Sequence, residues 1–272
     1  MRSKAAKTHK SHRLQGLLLD IGCAYGPFLV AAREEGFSPA GIDPAEDAVR
    51  YVTQTLGIPA VQGFFPGCRL PECNGASGGG RLFDAVTLWY VIEHFQNCVP
   101  VLAEIRRILK PGGVLSFSSP SFTGISGRSS LKRFLAQSPA DHWTIWSPAM
   151  CKKALARAGF KVMKIVISGH HPDRFPLLGR FAHKKGPLSV FLTAASKLFA
   201  LGDTFEVYAL AGRLSAAGPR GEPLGEPQGP VWGVAEDPKG PERRGGGQKR
   251  RRCADHVWKQ PPLPRVSAPI AL

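Results

Sequence analysis

Leu17-Leu18-Leu19-Asp20-Ile21-Gly22-Cys23-Ala24-Tyr25-Gly26-Pro27 is the stretch on which the fold turns. A short apolar run closed by glycine reads as a buried strand. Pro27 fits the first turn of a following helix, to about Glu35, because its missing N–H would be unpaired there anyway. A glycine bend between strand and helix lets backbone approach a ligand closely, and the helix N-terminus favours an anionic group. Asp20, Gly22, Cys23, Ala24, Tyr25 and Gly26 are therefore the first candidate binding residues.

Outward from that bend the pattern repeats. Ala40–Ile42 reads as a second strand, Pro44–Leu56 as a helix, Pro59–Gln62 as a third strand and Phe83–Leu88 as a fourth. Gly63–Arg81, rich in Gly, Pro and Cys, reads as loop. Val99–Leu109 carries apolar residues at helical spacing, Lys110-Pro111-Gly112-Gly113 reads as a helix stop and turn, and Val114–Ser118 as a fifth strand. Such alternation implies an α/β fold, a doubly wound, mostly parallel sheet covered on both faces. Residues 119–146 read as a long Ser/Gly-rich connection. Ser147-Pro148 is an N-cap and N1 pair for a helix to Ala158, which Gly159 ends. Lys161–Ile167 and Thr204–Leu210 read as the last two strands, with partly helical chain between them.

Composition sets the domain limits. The 272 residues carry a formal charge of +16, but the first 13 hold five cations and no acids, and residues 215–272 a further +4. That leaves +7 for the middle, a modest excess, so much of the charge is peripheral to any active site. Gly and Pro make up about a third of 215–272, above the level at which an aperiodic segment is expected to be disordered. The expected organisation is a basic extension (1–13), one domain (14–214) and a disordered Pro/Gly-rich basic tail (215–272). Nucleic acid is a conceivable partner only through that tail and its run Arg243–Arg252. The six cysteines show no zinc or disulfide framework, so no metal and a reducing, cytoplasmic setting are expected. Residues 187–201 are interrupted by Ser189, Thr193, Ser196 and Lys197, so no membrane span is expected.

Asp43 ends the second strand 21 residues after Gly22, where a carboxylate can take hydrogen bonds from a ribose diol. A dinucleotide fingerprint would need glycine where this chain has Ala24 and Pro27, which disfavours NAD. Trp89 and Tyr90 follow the fourth strand, which should adjoin the first at the switch point where such sheets bind ligands.

Taken together, 18–26 (LLDIGCAYG), 41–44 (GIDP), 83–86 (FDAV), 91–95 (VIEHF) and 109–113 (LKPGG) resemble, in order and spacing, the class I S-adenosylmethionine-dependent methyltransferases over about 14–214. The nearest look is of the small-molecule branch that includes quinone-biosynthesis methyltransferases. The resemblance implies a Rossmann-like seven-stranded sheet with an antiparallel last strand, S-adenosyl-L-methionine as cofactor and a small-molecule acceptor. It assigns Gly22–Gly26 to the methionine part and Asp43 to the ribose. Phe64 or Phe65, just after the third strand, is a candidate to flank the adenine, and Trp89, at the switch point, to line the cofactor. His94 matches a family motif and is a candidate base. His142 is a second, because the family places the acceptor near 142–146; Tyr90 and Trp143 would then line the acceptor. Two family features are missing: a helix before the first strand, and an acid or amide for the adenine just after the third.

Overall fold

The structure, a computed structural model, describes residues 16–71, 83–182 and 186–212. The basic extension, the tail with its expected disorder, and most of the Gly-rich stretch before Phe83 lie outside the described residues. Seven strands form one sheet: β1 (Gly16–Ile21), β2 (Phe37–Asp43), β3 (Ala60–Gln62), β4 (Phe83–Trp89), β5 (Leu109–Pro120), β6 (Phe160–Ser168) and β7 (Thr204–Ala211). Their spatial order is β3-β2-β1-β4-β5-β7-β6, and β7 alone runs antiparallel to its neighbours. β1 pairs in parallel with β2 and with β4, Leu18 opposite Ala85 and Leu19 opposite Val86. The chain therefore steps outward from β1 to β3, then returns to β4 on β1's other side. This is the switch point expected from the sequence.

Successive side chains of a strand point to opposite faces, so an unbroken apolar strand needs cover on both. Leu18 and Ala85 face α1 (Pro27–Glu34) and α2 (Glu46–Gln54) through Leu29, Ala32 and Val52. Leu19 and Val86 face the larger core, which takes Val101, Leu102, Ile105 and Ile108 of α3 (Cys98–Ile108) and Cys151 and Leu155 of α6 (Pro148–Arg157). The expected start of α6 holds: Ser147 accepts from the Met150 N–H at 3.2 Å, Pro148 follows it, and Gly159 turns the chain away at φ +82°.

Two expectations change. Lys110–Gly113 does not end at a turn before β5; it is a bulge inside it. Phe83 pairs with Leu109 and Ala85 with Val114, leaving four residues opposite Asp84, with Gly112 at φ +79° and Lys110 bonded to the Asp84 carboxylate. The long connection after β5 holds two short helices, α4 (Ile125–Ser129) and α5 (Leu131–Gln137); the Ser130 side chain accepts from the Arg133 N–H at the start of α5. The segment between the last two strands contains α7 (Pro187–Leu198). Among the described residues, no helix is long and apolar enough to cross a membrane.

Candidate active site

The bend after β1 is held by backbone. Gly22 N–H and Cys23 N–H both donate to the Ile42 carbonyl, at 2.7 and 3.1 Å, and Gly26 N–H closes a turn onto Cys23 at 2.9 Å. Three residues of the bend take left-handed backbone: Gly22 (φ +74°), Ala24 (φ +46°) and Gly26 (φ +76°). Glycine is required at the first for a second reason. A Cβ there would lie 2.4 Å from Val91 Cγ2, so the turn after β4 is packed directly on the bend. Cys23 points into the core against Gly41, and burial pushes its thiol well above the ordinary range. It can offer a ligand only its backbone. The Tyr25 hydroxyl donates to Asp47 and its ring meets Tyr51 edge-on, so this side chain is directed along the start of α2.

Two carboxylates underlie the bend. Asp43 accepts from Ala24 N–H at 2.7 Å and from Ala45 N–H at 2.9 Å, so it ties the bend to the end of β2. Each of its oxygens retains a second acceptor position for a sugar hydroxyl. Asp20 is buried and accepts from the Thr87 hydroxyl at 2.6 Å. Burial raises its carboxyl to about 7, the Thr87 bond lowering it and nearby Asp43 adding to the rise. The loop after β3 separates the two phenylalanines. Phe65 is 5% exposed in the main core and Phe64 is 78% exposed. Phe65 is thus a packing residue and leaves the candidate set, because the chain turns it inward beside the sheet; Phe64 remains available to an adenine ring.

On the far side of the switch point, Trp89 ends β4 with its ring 5.2 Å from Phe28 of α1. Its indole N–H is buried without a partner. Tyr90 takes φ +56°, its N–H bonded to Ser118 and its hydroxyl to Thr204. The next turn, a 3₁₀ helix at Ile92–His94, presents Glu93 and His94. The Glu93 carbonyl accepts from both Trp143 N–H (2.9 Å) and Thr144 N–H (3.1 Å), which draws the segment before α6 against the end of β4. The two base candidates, 48 positions apart, become neighbours. His94 Nδ1 lies 3.2 Å from the Asp141 carboxylate, and the His94 and His142 rings meet edge-on at 4.8 Å. Burial, with help from His94, lowers the His142 imidazole, so it is neutral at pH 7 and able to accept a proton. Trp143 is exposed beside it.

In the sequence Glu93 stands out only as part of the 91–95 motif. The side chain is 1% exposed, burial raises it to about 8, Ser119 bonds it, and its Oε2 has no partner. Nothing local in the sequence marks it as buried. Its burial comes from Ser119 on β5 and the 143–144 strap. Glu93, His94 and His142 also bring potential ligand atoms within 4.8 Å of one another. Two imidazoles and a carboxyl so placed are the donor types of a divalent-cation site as well as of a proton relay. His170 and His171 stand elsewhere, His170 bonded to Ser196 at 2.7 Å.

A family model for the methyltransferase domain matches residues 2–165. The chain belongs to that family, the class I S-adenosylmethionine-dependent methyltransferases. It is 28% identical over 167 residues to the tRNA U34 carboxymethyltransferase of Methylococcus capsulatus, covering 58% of this chain and 51% of that protein. It is 24% identical over 161 residues to the ubiquinone biosynthesis O-methyltransferase of Thiobacillus denitrificans, covering 57% and 68%. The chain thus spans about half to two thirds of these relatives' length. In fold it matches an S-adenosylmethionine-dependent methyltransferase from Archaeoglobus fulgidus with TM-score 0.51 at 19% identity, covering 73% of this chain and 87% of the other. The family's cofactor is S-adenosylmethionine, and the methyltransferase site fits it on its own terms. The bend runs through left-handed backbone at Gly22, Ala24 and Gly26, and the Asp43 carboxylate that braces it keeps acceptor positions for a sugar diol.

Proposed function

We propose that the chain transfers a methyl group from S-adenosylmethionine to an oxygen, carbon or nitrogen of a small-molecule acceptor, in the cytoplasm. One observation carries the reading: the cofactor bend and the Glu93–His94–Asp141–His142 cluster meet at a single switch point, joined by the Gly22–Val91 packing. The bend from Gly22 to Gly26 would hold the methionine part, Asp43 the ribose and Phe64 the adenine. Bound there, the cofactor supplies a methyl carbon already activated by its sulfonium. The protein's part is then to align the acceptor, exclude water and take a proton. Neutral His142 accepts that proton, Asp141 orients His94 beside it, and Tyr90 and Trp143 flank the acceptor. Burial holds Glu93 protonated at neutral pH, which makes it a donor to an acceptor oxygen rather than a competing charge. The described cysteines, Cys23, Cys68, Cys98 and Cys151, are free thiols, which suits a reducing compartment.

Transfer of labelled methyl groups to a panel of phenols, activated aromatic carbons and amines, with transfer RNA alongside, tests this. Turnover on a small acceptor, lost in His142→Ala, is the expected result. Transfer to RNA alone would replace it with the nucleic-acid reading, and cofactor binding without turnover on any acceptor would mark an inactive relative.

A further inference from the structure

A helix docked on a globular domain normally turns its apolar stripe inward. α7 turns only Leu192 of its large apolar side chains fully inward. Its buried positions include Ser196, bonded to His170 Nδ1, while Val190 (63% exposed), Phe191 (66%) and Leu198 (78%) point outward. The chain on either side continues the pattern, with Leu177 81% and Phe199 64% exposed. Large apolar side chains grouped outward along one segment mark an interaction surface rather than scattered surface residues.

The charge around this face identifies what covers it. From 174 to 202 the chain carries five cations, at 174, 180, 184, 185 and 197, and no acid. Arg174 is paired with Asp203 at 2.7 Å, which anchors the segment to the start of β7. Arg180 lies over the exposed Phe181 ring, its guanidinium carbon 4.7 Å from the centroid, so a cation and an apolar ring are presented together. Lys197 is exposed on α7 itself. Among the described residues, Arg180 and Lys197 are exposed within this apolar segment and no acid lies between them, a combination that matches a sheet of anionic headgroups over acyl chains. At 12 residues α7 is about 18 Å long, too short to span a bilayer and suited to lying in its interface.

We infer that the exposed apolar side chains of 175–181 and the outward face of α7 seat this domain on an anionic membrane surface, with α7 entering the headgroup–acyl boundary. The placement has a consequence for the site. Asp203 ties the segment to α4 through Ser126, and Thr204, the next residue, bonds Tyr90 beside the proposed acceptor position. The seated face is thus joined through the first residues of β7 to the acceptor side of the sheet.

The test is flotation of the full chain with phosphatidylcholine vesicles, with and without about a third phosphatidylglycerol. The comparison variant carries Val190→Ser, Phe191→Ser and Leu198→Ser, all exposed positions outside the binding machinery. The parent is expected to float with the anionic vesicles. The variant should partition at least about tenfold less, with unchanged melting temperature and unchanged S-adenosylmethionine binding. Equal flotation of parent and variant would assign the binding to other basic segments and overturn the inference. So would absence of flotation, or a parent that is a dimer in solution and becomes monomeric in the variant. Because cofactor binding is read separately, loss of flotation and loss of the methyltransferase reading are distinguishable.

Discussion

Asp20 offers the sharpest test of the site's electrostatics. Its carboxyl is buried beneath the bend after β1, bonded to Thr87, and raised from 3.8 to about 7, mainly by desolvation. A carboxyl whose folded value lies above its unfolded one contributes stability at low pH that is lost as pH rises through that interval. Below about pH 4 both states are protonated and there is no effect. Between there and about 7 the unfolded chain releases a proton that the folded chain keeps, and stability falls by about 1.4 kcal/mol per pH unit. Asp20→Asn removes the titration while keeping an oxygen for the Thr87 hydroxyl. Urea unfolding of parent and variant should therefore show the variant more stable by about 2 kcal/mol near pH 5, rising to about 4 kcal/mol near pH 8 and level beyond. Other titrating groups are common to both proteins and cancel. An ammonium group bound beside Asp20 would favour its ionised form, so cofactor should tighten on the parent between about pH 6 and 8, and bind the variant more weakly. A stability difference that is flat across the range, or a parent more stable at pH 8, would refute the reasoning.

His142→Ala should lower turnover about a hundredfold while leaving cofactor affinity within about twofold, read by steady-state kinetics against calorimetry. Asp141→Asn should cost less, about tenfold in turnover, because it acts through the orientation of His94. Ser147→Ala removes the cap of α6, whose Cys151 and Leu155 enter the core, and should destabilise by about 1 kcal/mol in denaturant unfolding without changing catalysis.

Local signals in the sequence carried the sheet. The apolar run before Gly22 and the Pro27 start of α1 placed β1, and Ser147-Pro148 placed α6, because strand periodicity and capping are written in adjacent residues. Positions decided by distant partners were not legible. The Lys110–Gly113 bulge depends on Asp84 across the sheet. Phe64 and Phe65 are indistinguishable until the loop's path puts one in the core. α4 and α5 hide in a Ser/Gly-rich stretch whose short helices are fixed by contacts such as Ser126 with Asp203, not by propensity. A resemblance pointed to His94 and His142 as base candidates, but their contact, and the burial of Glu93 between β5 and the 143–144 strap, exist only in the folded chain. The outward apolar face of α7 was equally invisible, since an apolar helix reads as a core helix wherever it sits.

The central claim is that one bend after β1, braced by Asp43, holds the adenosyl cofactor. Calorimetric titration of S-adenosylmethionine into the full chain and into Asp43→Ala tests it directly. A charge-assisted hydrogen bond is worth about 1.5–3 kcal/mol, and Asp43 braces Ala24 and is the proposed ribose acceptor, so affinity should fall at least about tenfold in a variant that still unfolds cooperatively. Equal affinity in the folded variant would show that the cofactor is held elsewhere.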